Sequence, residues 1–174
     1  IADEKLRAGQ GTYRLLEQDL RQLDVREKFP LITCLCDSLN YLLSPSQLRE
    51  ALERIYEHLR PGGVFIADFN SPFKFREILG QNTYSAVFEN SAYIWANIFD
   101  TDSGLCRMEI DFFQRYQGEM FRHFKEVHWQ RLYQPKEIKE IAVKVGFSRM
   151  ETFGAFTFHP PTPKDERIFY LFTR

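Results

Sequence analysis

The chain has 174 residues, 44% hydrophobic and 27% charged, and its 23 basic and 24 acidic side chains give a formal net charge of -1. This composition supports one folded domain, argues against disorder, and gives no reason to expect nucleic acid or an anionic membrane as a partner. No apolar run reaches the length of a membrane span and no signal peptide is visible, so we expect a cytoplasmic protein.

The amino-terminal part predicts a helix followed by two strands. The chain begins at Ile1 with an amphipathic stretch that predicts the end of a helix, stopping at Gly9 or Gly11. Because that helix is already under way, we expect residues upstream of Ile1 to be missing from this sequence. Residues 13–17 predict a short strand, and the apolar run 31–36 predicts a strand covered on both faces, as in a parallel sheet.

A capped helix and another strand follow. Ser44 is an N-cap candidate, Pro45 fits the first helical position, and Gln47 completes a capping-box pattern. The apolar stripe of this helix consists of Leu48, Leu52, Ile55 and Leu59. The Pro-Gly-Gly of residues 61–63 should end it, residues 64–69 predict a strand, and residues 73–79 predict a short helix closed by Gly80.

From residue 81 onward the pattern predicts an inserted antiparallel meander. Aromatic and β-branched runs are separated by turn residues, and the runs lie at 84–88, 93–99, 105–116 and 120–133. Pro135 then opens a helix that stops at Gly146, and the last two strands are predicted at 147–153 and 167–172. The meander is too small for a core of its own, so we expect it to pack over another part of the chain.

The three cysteines predict buried thiols rather than a metal site. Cys34 and Cys36 lie two apart in one predicted strand, Cys106 is distant, and no second Cys-x-x-Cys pair exists. Structural zinc sites require four ligands at characteristic spacings. We therefore expect no metal and a reducing compartment.

Several motifs resemble those of one enzyme family. They are Asp-Leu at 19–20, Asp-Ser-Leu-Asn-Tyr at 37–41, Leu-Arg-Pro-Gly-Gly at 59–63 and Asp-Phe-Asn at 68–70. In this order the chain resembles the class I S-adenosylmethionine-dependent methyltransferases. With Glu-Val-His-Trp-Gln-Arg-Leu-Tyr at 126–133, it is similar to a small bacterial subgroup whose antiparallel insertion covers the active site.

The resemblance implies an α/β fold with a Rossmann-like sheet of strand order 3-2-1-4-5-7-6, mostly parallel with its last strand antiparallel. Residues 1–80 would form the carboxy-terminal part of the cofactor-binding core, 81–133 the antiparallel lid, and 134–174 the completion of the core. The family's glycine-rich loop and the acidic residue that holds the cofactor ribose are not found. We therefore expect the first strands to be missing and this chain alone to be inactive.

The resemblance also assigns roles to residues. Asp19 would meet the adenine amino group and Leu20 would supply a backbone contact, while Cys36, Asp37, Ser38 and Asn40 would lie along the sulfonium and amino-acid part of S-adenosylmethionine. Substrate contacts are expected from Tyr41, Asn70 and Tyr133. The structural alternatives stay open: Asp19, Asp37, Ser38 and Asn70 could be cap or turn residues, Tyr41 could be core, and Asp68 could face either the pocket or a helix cap.

The last meander strand supplies two catalytic candidates. Glu126, His128 and Gln130 alternate and share one face, whereas Arg131 and Tyr133 share the other. His128 could act as a base near neutral pH, and Arg131 would suit a substrate carboxylate. A structural histidine and a surface ion pair are the alternatives. His159 and Asp165 lie on the last hairpin loop, where they could contact a substrate or only solvent.

These observations predict in-line methyl transfer to a small molecule. The alternative is a non-catalytic binding or scaffold protein that retains the fold. A nicotinamide-dependent reductase is disfavoured, because no Tyr-x-x-x-Lys pair and no Gly-x-Gly-x-x-Gly fingerprint occur. Exposed strand edges could support a homodimer. The sequence identifies neither the methyl acceptor nor the need for a general base.

Overall fold

The computed structural model describes residues 12–174, so the predicted first helix lies outside the described residues. The strands are β1 (Phe29–Cys34), β2 (Leu59–Asn70), β3 (Thr83–Val87), β4 (Ser91–Asp100), β5 (Leu105–Gln117), β6 (Met120–Arg131), β7 (Arg149–Gly154) and β8 (Arg167–Thr173). The α-helices are α1 (Pro45–His58) and α2 (Pro135–Val145). Short 3-10 turns span Leu20–Gln22 and Ser38–Tyr41, and a π-helix spans Lys74–Leu79.

The first sheet carries the α/β core and has the strand order β1-β2-β8-β7. Strands β1 and β2 are parallel, whereas β8 runs antiparallel to both of its neighbours. This order matches the 4-5-7-6 half of the implied sheet, and the α/β class is confirmed. Because β8 is antiparallel to both β2 and β7, the strands β1, β2 and β7 run in one direction and only the last strand is reversed, which confirms the expected sheet.

Both α-helices form where the sequence predicts them. The Ser44 hydroxyl accepts the Gln47 backbone N–H at 3.3 Å, and the Gln47 side chain accepts the Leu43 N–H at 2.7 Å, which satisfies two donors at the start of α1. Tyr56 of α1 meets Phe147, just after α2, edge to face at 5.2 Å. The core that the two helices share with the sheet includes Leu48, Leu52, Ile55, Phe65, Ala67, Ile138, Tyr170 and Phe172.

The second sheet is the predicted antiparallel meander, with the order β3-β4-β5-β6. Gly104 and Gly118 have φ values of +71° and +55° in the turns that flank β5, a conformation that glycine adopts without steric cost. A smaller apolar cluster joins this sheet to the π-helix through Phe75, Leu79, Phe99, Cys106, Met108 and Leu132. The sheet therefore packs against the core rather than standing alone, as expected for an insertion.

Three local predictions are wrong. Residues 13–17 form no strand, and Leu15 and Leu16 are half exposed, because no described strand lies beside them to complete a hydrogen-bond ladder. Among residues 12–174, β1 stands at the end of its sheet and Phe29 and Leu31 are exposed, so the described residues do not cover it on both faces. The helix ends before residues 61–63: Leu59 packs in the core as predicted, but it is already the C-cap of α1 and the first residue of β2, where it pairs with Phe29 of β1.

Among residues 12–174 no helix combines the length and apolar character that a bilayer crossing requires.

Candidate active site

The turn after β1 holds two residues in an uncommon backbone conformation. Cys36 and Asp37 have φ values of 61° and 50°, which side chains with a Cβ rarely adopt. The Asp37 N–H donates to Asp68 Oδ2 at 2.9 Å, and Ser38 donates from its hydroxyl to the Leu35 carbonyl at 2.7 Å. Such local strain persists only where surrounding contacts hold it, and it concentrates at ligand sites.

Two carboxylates and one guanidinium meet at the carboxyl ends of β1 and β2. Arg167 Nη2 lies 2.6 Å from Asp37 Oδ1, and its Nη1 pairs with Asp68, which is fully buried. Burial opposes the charge on Arg167, but the two carboxylates outweigh burial and raise its pKa. With two negative charges against one positive charge, the cluster keeps a net negative charge.

A network of side-chain amides (the amide relay) connects this cluster to the antiparallel sheet β3-β4-β5-β6 (the lid sheet). Gln130 of β6 donates from Nε2 to Asp37 Oδ2 at 2.6 Å, and its Oε1 accepts Asn70 Nδ2 at 3.0 Å. Asn40 accepts the Asn70 backbone N–H at 3.0 Å and donates to the Arg131 carbonyl at 2.8 Å. The structure thus brings Asp37, Asn40 and Asn70 together, as the motifs predicted.

A cavity of about 290 Å³ lies between the two sheets. Asp37, Asn70 and Arg167 border it from the core, and Gln130 of β6 and Lys74 of the π-helix add to its polar lining. The apolar part of its wall comes from the π-helix and the lid sheet and consists of Leu79, Trp95, Met108 and Ile110. An apolar wall with a few convergent polar groups is typical of small-molecule sites.

His128 and Tyr41 also line the cavity. The His128 imidazole lies 3.0 Å from a Glu126 carboxylate oxygen, which can orient the ring, and the Tyr41 ring meets it edge-on with centroids 5.9 Å apart. Burial raises the pKa of the Tyr41 hydroxyl, and nearby Asp37 raises it further. His128 is therefore placed where a base could reach a bound molecule, with Tyr41 as a neutral neighbour.

Arg131 and Tyr133 do not line the cavity. Side chains alternate along β6, so Arg131 points away from His128 and Gln130 and pairs with Glu137 at 3.4 Å. Tyr133 is buried in the core, where its hydroxyl donates to the Leu42 and Ser44 carbonyls at 2.5 and 2.9 Å. The expected substrate contacts of these two residues find no support in this arrangement.

Asp19 and Leu20 lie apart from the network in the described chain. Asp19 caps the Leu20–Gln22 turn by accepting the Arg21 N–H at 2.9 Å, and hydrogen bonds from Arg21 lower the pKa of its carboxyl to about 2. Leu20 packs against the edge of the core. No hydrogen bond in residues 12–174 joins Asp19 to Asp37 or Asn40. The contacts of Asp19 in the described chain are those of a cap residue, which was the alternative to an adenine contact.

The cysteines are less uniformly buried than predicted. Cys106 is buried, Cys34 is partly buried and Cys36 is exposed, because the left-handed turn ends β1 before Cys36. Burial raises the pKa of Cys34 and of Cys106 to about 11. Over residues 12–174 no group of three or more His, Cys, Asp or Glu side chains is arranged to hold a metal.

Sequence reasoning missed Arg167, the cation of the cluster. It was predicted only as the first residue of the last strand, where it pairs in register with Asn70. One signal was available: Asp37 and Asp68 end neighbouring strands, and two carboxylates placed so close require a counter-charge. Trp95 and Lys74 were also missed, since neither stands in a motif.

A larger groove of about 870 Å³ runs along the exposed side of β1 and residues 12–16. Its lining contains none of the predicted site residues. The smaller cavity, where charges, amides and a histidine converge, is therefore the better candidate for chemistry.

No family model matches the chain. Over 171 residues it is 30% identical to a Geobacillus sp. (strain WCH70) protein named "putative methyltransferase", covering 98% of this chain and 69% of that protein. It is similar to the crystal structure of a S-adenosylmethionine-dependent methyltransferase from Clostridium acetobutylicum ATCC 824, with TM-score 0.89, 34% identity, and coverage of 99% and 69% of the two chains.

A third relative has a named substrate class. Over 135 residues the chain is 27% identical to the dTDP-3-amino-3,4,6-trideoxy-alpha-D-glucopyranose N,N-dimethyltransferase of Streptomyces venezuelae, covering 76% of this chain and 56% of that enzyme. Sequence similarity to the first relative and close structural similarity to the second both extend over nearly all of the present residues. The chain belongs to the S-adenosylmethionine-dependent methyltransferases.

Proposed function

We propose that this protein transfers a methyl group from S-adenosylmethionine to a small molecule bound in the 290 Å³ cavity. The observation that carries this proposal is the placement of the cavity at the carboxyl ends of β1 and β2, where ligands bind in open α/β sheets. The lid sheet closes over that position through the Gln130 contacts with Asp37 and Asn70.

The charge of the Asp37–Asp68–Arg167 cluster, counted without the Lys74 ammonium that also lines the cavity, fits a cationic cofactor. S-adenosylmethionine supplies a methyl group activated by its positively charged sulfur. Asp37 and Asp68 exceed the charge of Arg167 by one, and Asp68 keeps a buried oxygen, Oδ1, without a hydrogen-bond partner among residues 12–174. Cys36, Asp37, Ser38 and Asn40 would hold the sulfonium and amino-acid part, as the family resemblance implies.

We also keep Asp19 and Leu20 as the proposed adenine contacts. Asp19 is exposed, and among residues 12–174 its carboxylate is bound to Arg21 alone, so it could exchange that partner for an exocyclic amine. The 174 residues contain no Gly-x-Gly-x-Gly loop. We therefore propose that the chain alone does not bind the cofactor strongly enough for catalysis.

The lid would act mainly by aligning the acceptor and excluding water. Methyl transfer needs an in-line approach, and holding two reactants in that geometry removes much of the entropic barrier. Tyr41, Asn70 and His128 line the acceptor side of the cavity, and His128 could take a proton where the acceptor carries one. The cavity volume and the sugar-modifying relative both favour a small acceptor.

Two further proposals concern the protein outside the site. Among residues 12–174, β7 and β3 stand at ends of the two sheets, and such edges could pair two copies into a homodimer. The relatives named above come from bacteria, and a site that uses a cytosolic cofactor favours a cytoplasmic location.

Calorimetry with S-adenosylhomocysteine and S-adenosylmethionine on the full-length protein tests the proposal. We expect binding of S-adenosylhomocysteine and of S-adenosylmethionine, and we expect Asp37→Asn to weaken S-adenosylmethionine binding by about tenfold, because one charge that faces the cationic sulfur is worth about 1.4 kcal/mol or more in a partly buried site. The neutral sulfur of S-adenosylhomocysteine should make its binding less sensitive to this substitution. Asp102→Asn, in the lid turn, is the matched control and should bind like the wild type. Wild-type protein that binds neither cofactor nor product would reject the proposal.

A further inference from the structure

Asn70 has one polar atom left over at the cavity. The side chain is 3% exposed, its backbone N–H is bound to Asn40, and its Nδ2 donates to Gln130. Its Oδ1 is buried and has no hydrogen-bond partner in residues 12–174. A buried acceptor without a partner costs about 1–3 kcal/mol, so a ligand donor is the natural group to satisfy it.

Asp37 determines which atom of the Asn70 amide is left unpaired, because Asp37 is bound to Gln130 and Gln130 is bound to Asn70. An ionised Asp37 can only accept hydrogen bonds, so Gln130 must turn its NH₂ group toward Asp37. The Gln130 oxygen then faces Asn70, so Asn70 must donate a hydrogen bond to it from its own NH₂ group. The chain Asp37–Gln130–Asn70 therefore leaves an oxygen of Asn70, and not a nitrogen, for the cavity.

A second unsatisfied group borders the same cavity. Trp95 Nε1 is buried without an acceptor among the described residues, and the indole lines the cavity with Asn70. An indole N–H can only donate. The cavity thus has one unpaired acceptor, Asn70 Oδ1, and one unpaired donor, Trp95 Nε1, among the described residues, and a bound molecule with complementary atoms could pair with both.

We propose that Asn70 Oδ1 accepts an N–H of an amine, that this amine is the methyl acceptor, and that Trp95 Nε1 donates to a second polar atom of the same molecule. This inference rests on the proposed function and narrows its substrate to small amines that also carry a hydroxyl, carbonyl or similar acceptor. Asn70 would act on the reacting atom directly, and Gln130 would be a positioning residue that holds Asn70 in the required orientation.

The chemistry of an amide oxygen favours an amine over an alcohol. A neutral amine forms the new C–N bond with its lone pair while the C–S bond breaks and its electrons stay on sulfur. The nitrogen becomes a cationic ammonium, and it passes a proton to water or His128 afterwards. An N–H that gains positive charge bonds more strongly to Asn70 Oδ1, so the contact stabilises the transition state. An alcohol must lose its proton during attack, and because an amide cannot take that proton, an alcohol would depend on His128 as a base, whereas a neutral amine needs no base to attack.

The orientation of the Asn70 side-chain amide can be observed directly by neutron diffraction of deuterated crystals of the protein. We expect deuterons on the Asn70 atom that faces Gln130 and none on the atom left for the cavity. The reverse orientation would overturn the inference, whatever the enzyme methylates. This measurement does not depend on cofactor or substrate.

Function is tested with a panel of primary amines and the alcohols that differ from them only in a hydroxyl replacing the amino group, each with radiolabelled S-adenosylmethionine. We expect label on amines and not on the matched alcohols. Gln130→Met should lower kcat/KM for the best amine by about tenfold, the value of one charge-assisted hydrogen bond, and should lower S-adenosylhomocysteine affinity by less than that, because Asp37 keeps its ion pair with Arg167. Gln114→Met, on the exposed end of β5, should leave both values unchanged.

The outcomes separate the two proposals. Failure of the full-length wild-type protein to bind S-adenosylhomocysteine would defeat the proposed function itself. Cofactor binding with label on alcohols, or with no labelled amine, would leave the methyltransferase proposal standing and overturn the amine inference. A Gln130→Met variant with wild-type kcat/KM would show that Gln130 does not position Asn70 for catalysis, and would also overturn the amine inference.

Discussion

At the scale of single residues, Arg167 supplies the positive charge that lets two carboxylates lie together at the carboxyl ends of β1 and β2. It pairs with Asp37 and with the fully buried Asp68. We expect Arg167→Met to lower the free energy of unfolding by about 3 kcal/mol, because removing one partner of a buried pair leaves an uncompensated charge. Urea denaturation measures this change.

The double variant Arg167→Met with Asp68→Asn should recover part of the loss, since it removes the stranded charge as well. Arg149→Met is the control: Arg149 pairs with Glu151 on the surface, and such pairs contribute about 0–1 kcal/mol. Equal destabilisation by the Arg167 and Arg149 substitutions would show that the cluster has no special energetic role.

The cysteines provide a second test at this scale. Cys36 is exposed beside Asp37, whereas burial raises the pKa of Cys34 and Cys106 to about 11. The thiolate is the reactive form, and at pH 8 a thiol with a pKa near 11 is almost entirely protonated. We expect iodoacetamide to modify Cys36 first, as mass spectrometry of digests would show.

S-adenosylhomocysteine should slow this reaction in the full-length protein if Cys36 contacts the cofactor. Modification of Cys36 at the same rate with and without ligand, despite ligand binding by calorimetry, would remove Cys36 from the predicted cofactor contacts. Denatured protein, in which all three thiols are accessible, is the control for complete labelling.

The residues that sequence reasoning could place are those tied to a strand end. Asp37, Asn40 and Asn70 follow apolar runs, and parallel strands bring such positions to one edge. Arg131 and Tyr133 could be assigned to one face of a strand, but not to the face that meets the core. That choice depends on how the lid packs, which is a tertiary property with no local signal.

At the scale of elements, α1 illustrates how a local signal becomes stability. Ser44 accepts the Gln47 N–H, one of the donors that a helix leaves unpaired at its start. We expect Ser44→Ala to lower the free energy of unfolding by about 1 kcal/mol, as measured by thermal or urea unfolding. Ser85→Ala on exposed β3 is the matched control, and an equal effect there would contradict a specific capping role.

Helices and the meander were predictable because their signals are local: caps, stripes of period 3.6 and turn residues. The π-helix Lys74–Leu79 was predicted only as a short helix, since its hydrogen-bond pattern leaves no distinct sequence pattern. Residues 13–17 failed for the opposite reason. Their composition suits a strand, but a strand exists only where a neighbour pairs with it, and the described residues provide none.

At the scale of the whole molecule, the two sheets are joined by polar contacts that converge on the cavity. Asn40, Asn70 and Gln130 connect the core turns to β6, and Tyr133 ties the end of the lid to the start of α1. Polar contacts are directional, so they fix the lid at one position where apolar packing alone would allow sliding. The same contacts that fix the position of the lid also fix the orientation of the Asn70 amide, so the geometry of the site depends on how the lid packs.

Asn40 tests this coupling, because it is fully buried and bridges both sheets. Asn40→Ala removes the acceptor of the Asn70 N–H and the donor to the Arg131 carbonyl. We expect a loss of about 2 kcal/mol in unfolding free energy and faster hydrogen exchange of the Asn70 amide and of residues 128–133. Asn90→Ala, in an exposed lid turn, should change neither. Faster exchange confined to Asn70, with residues 128–133 unaffected, would mean that the lid is held by apolar packing and that the amide network does not couple the sheets.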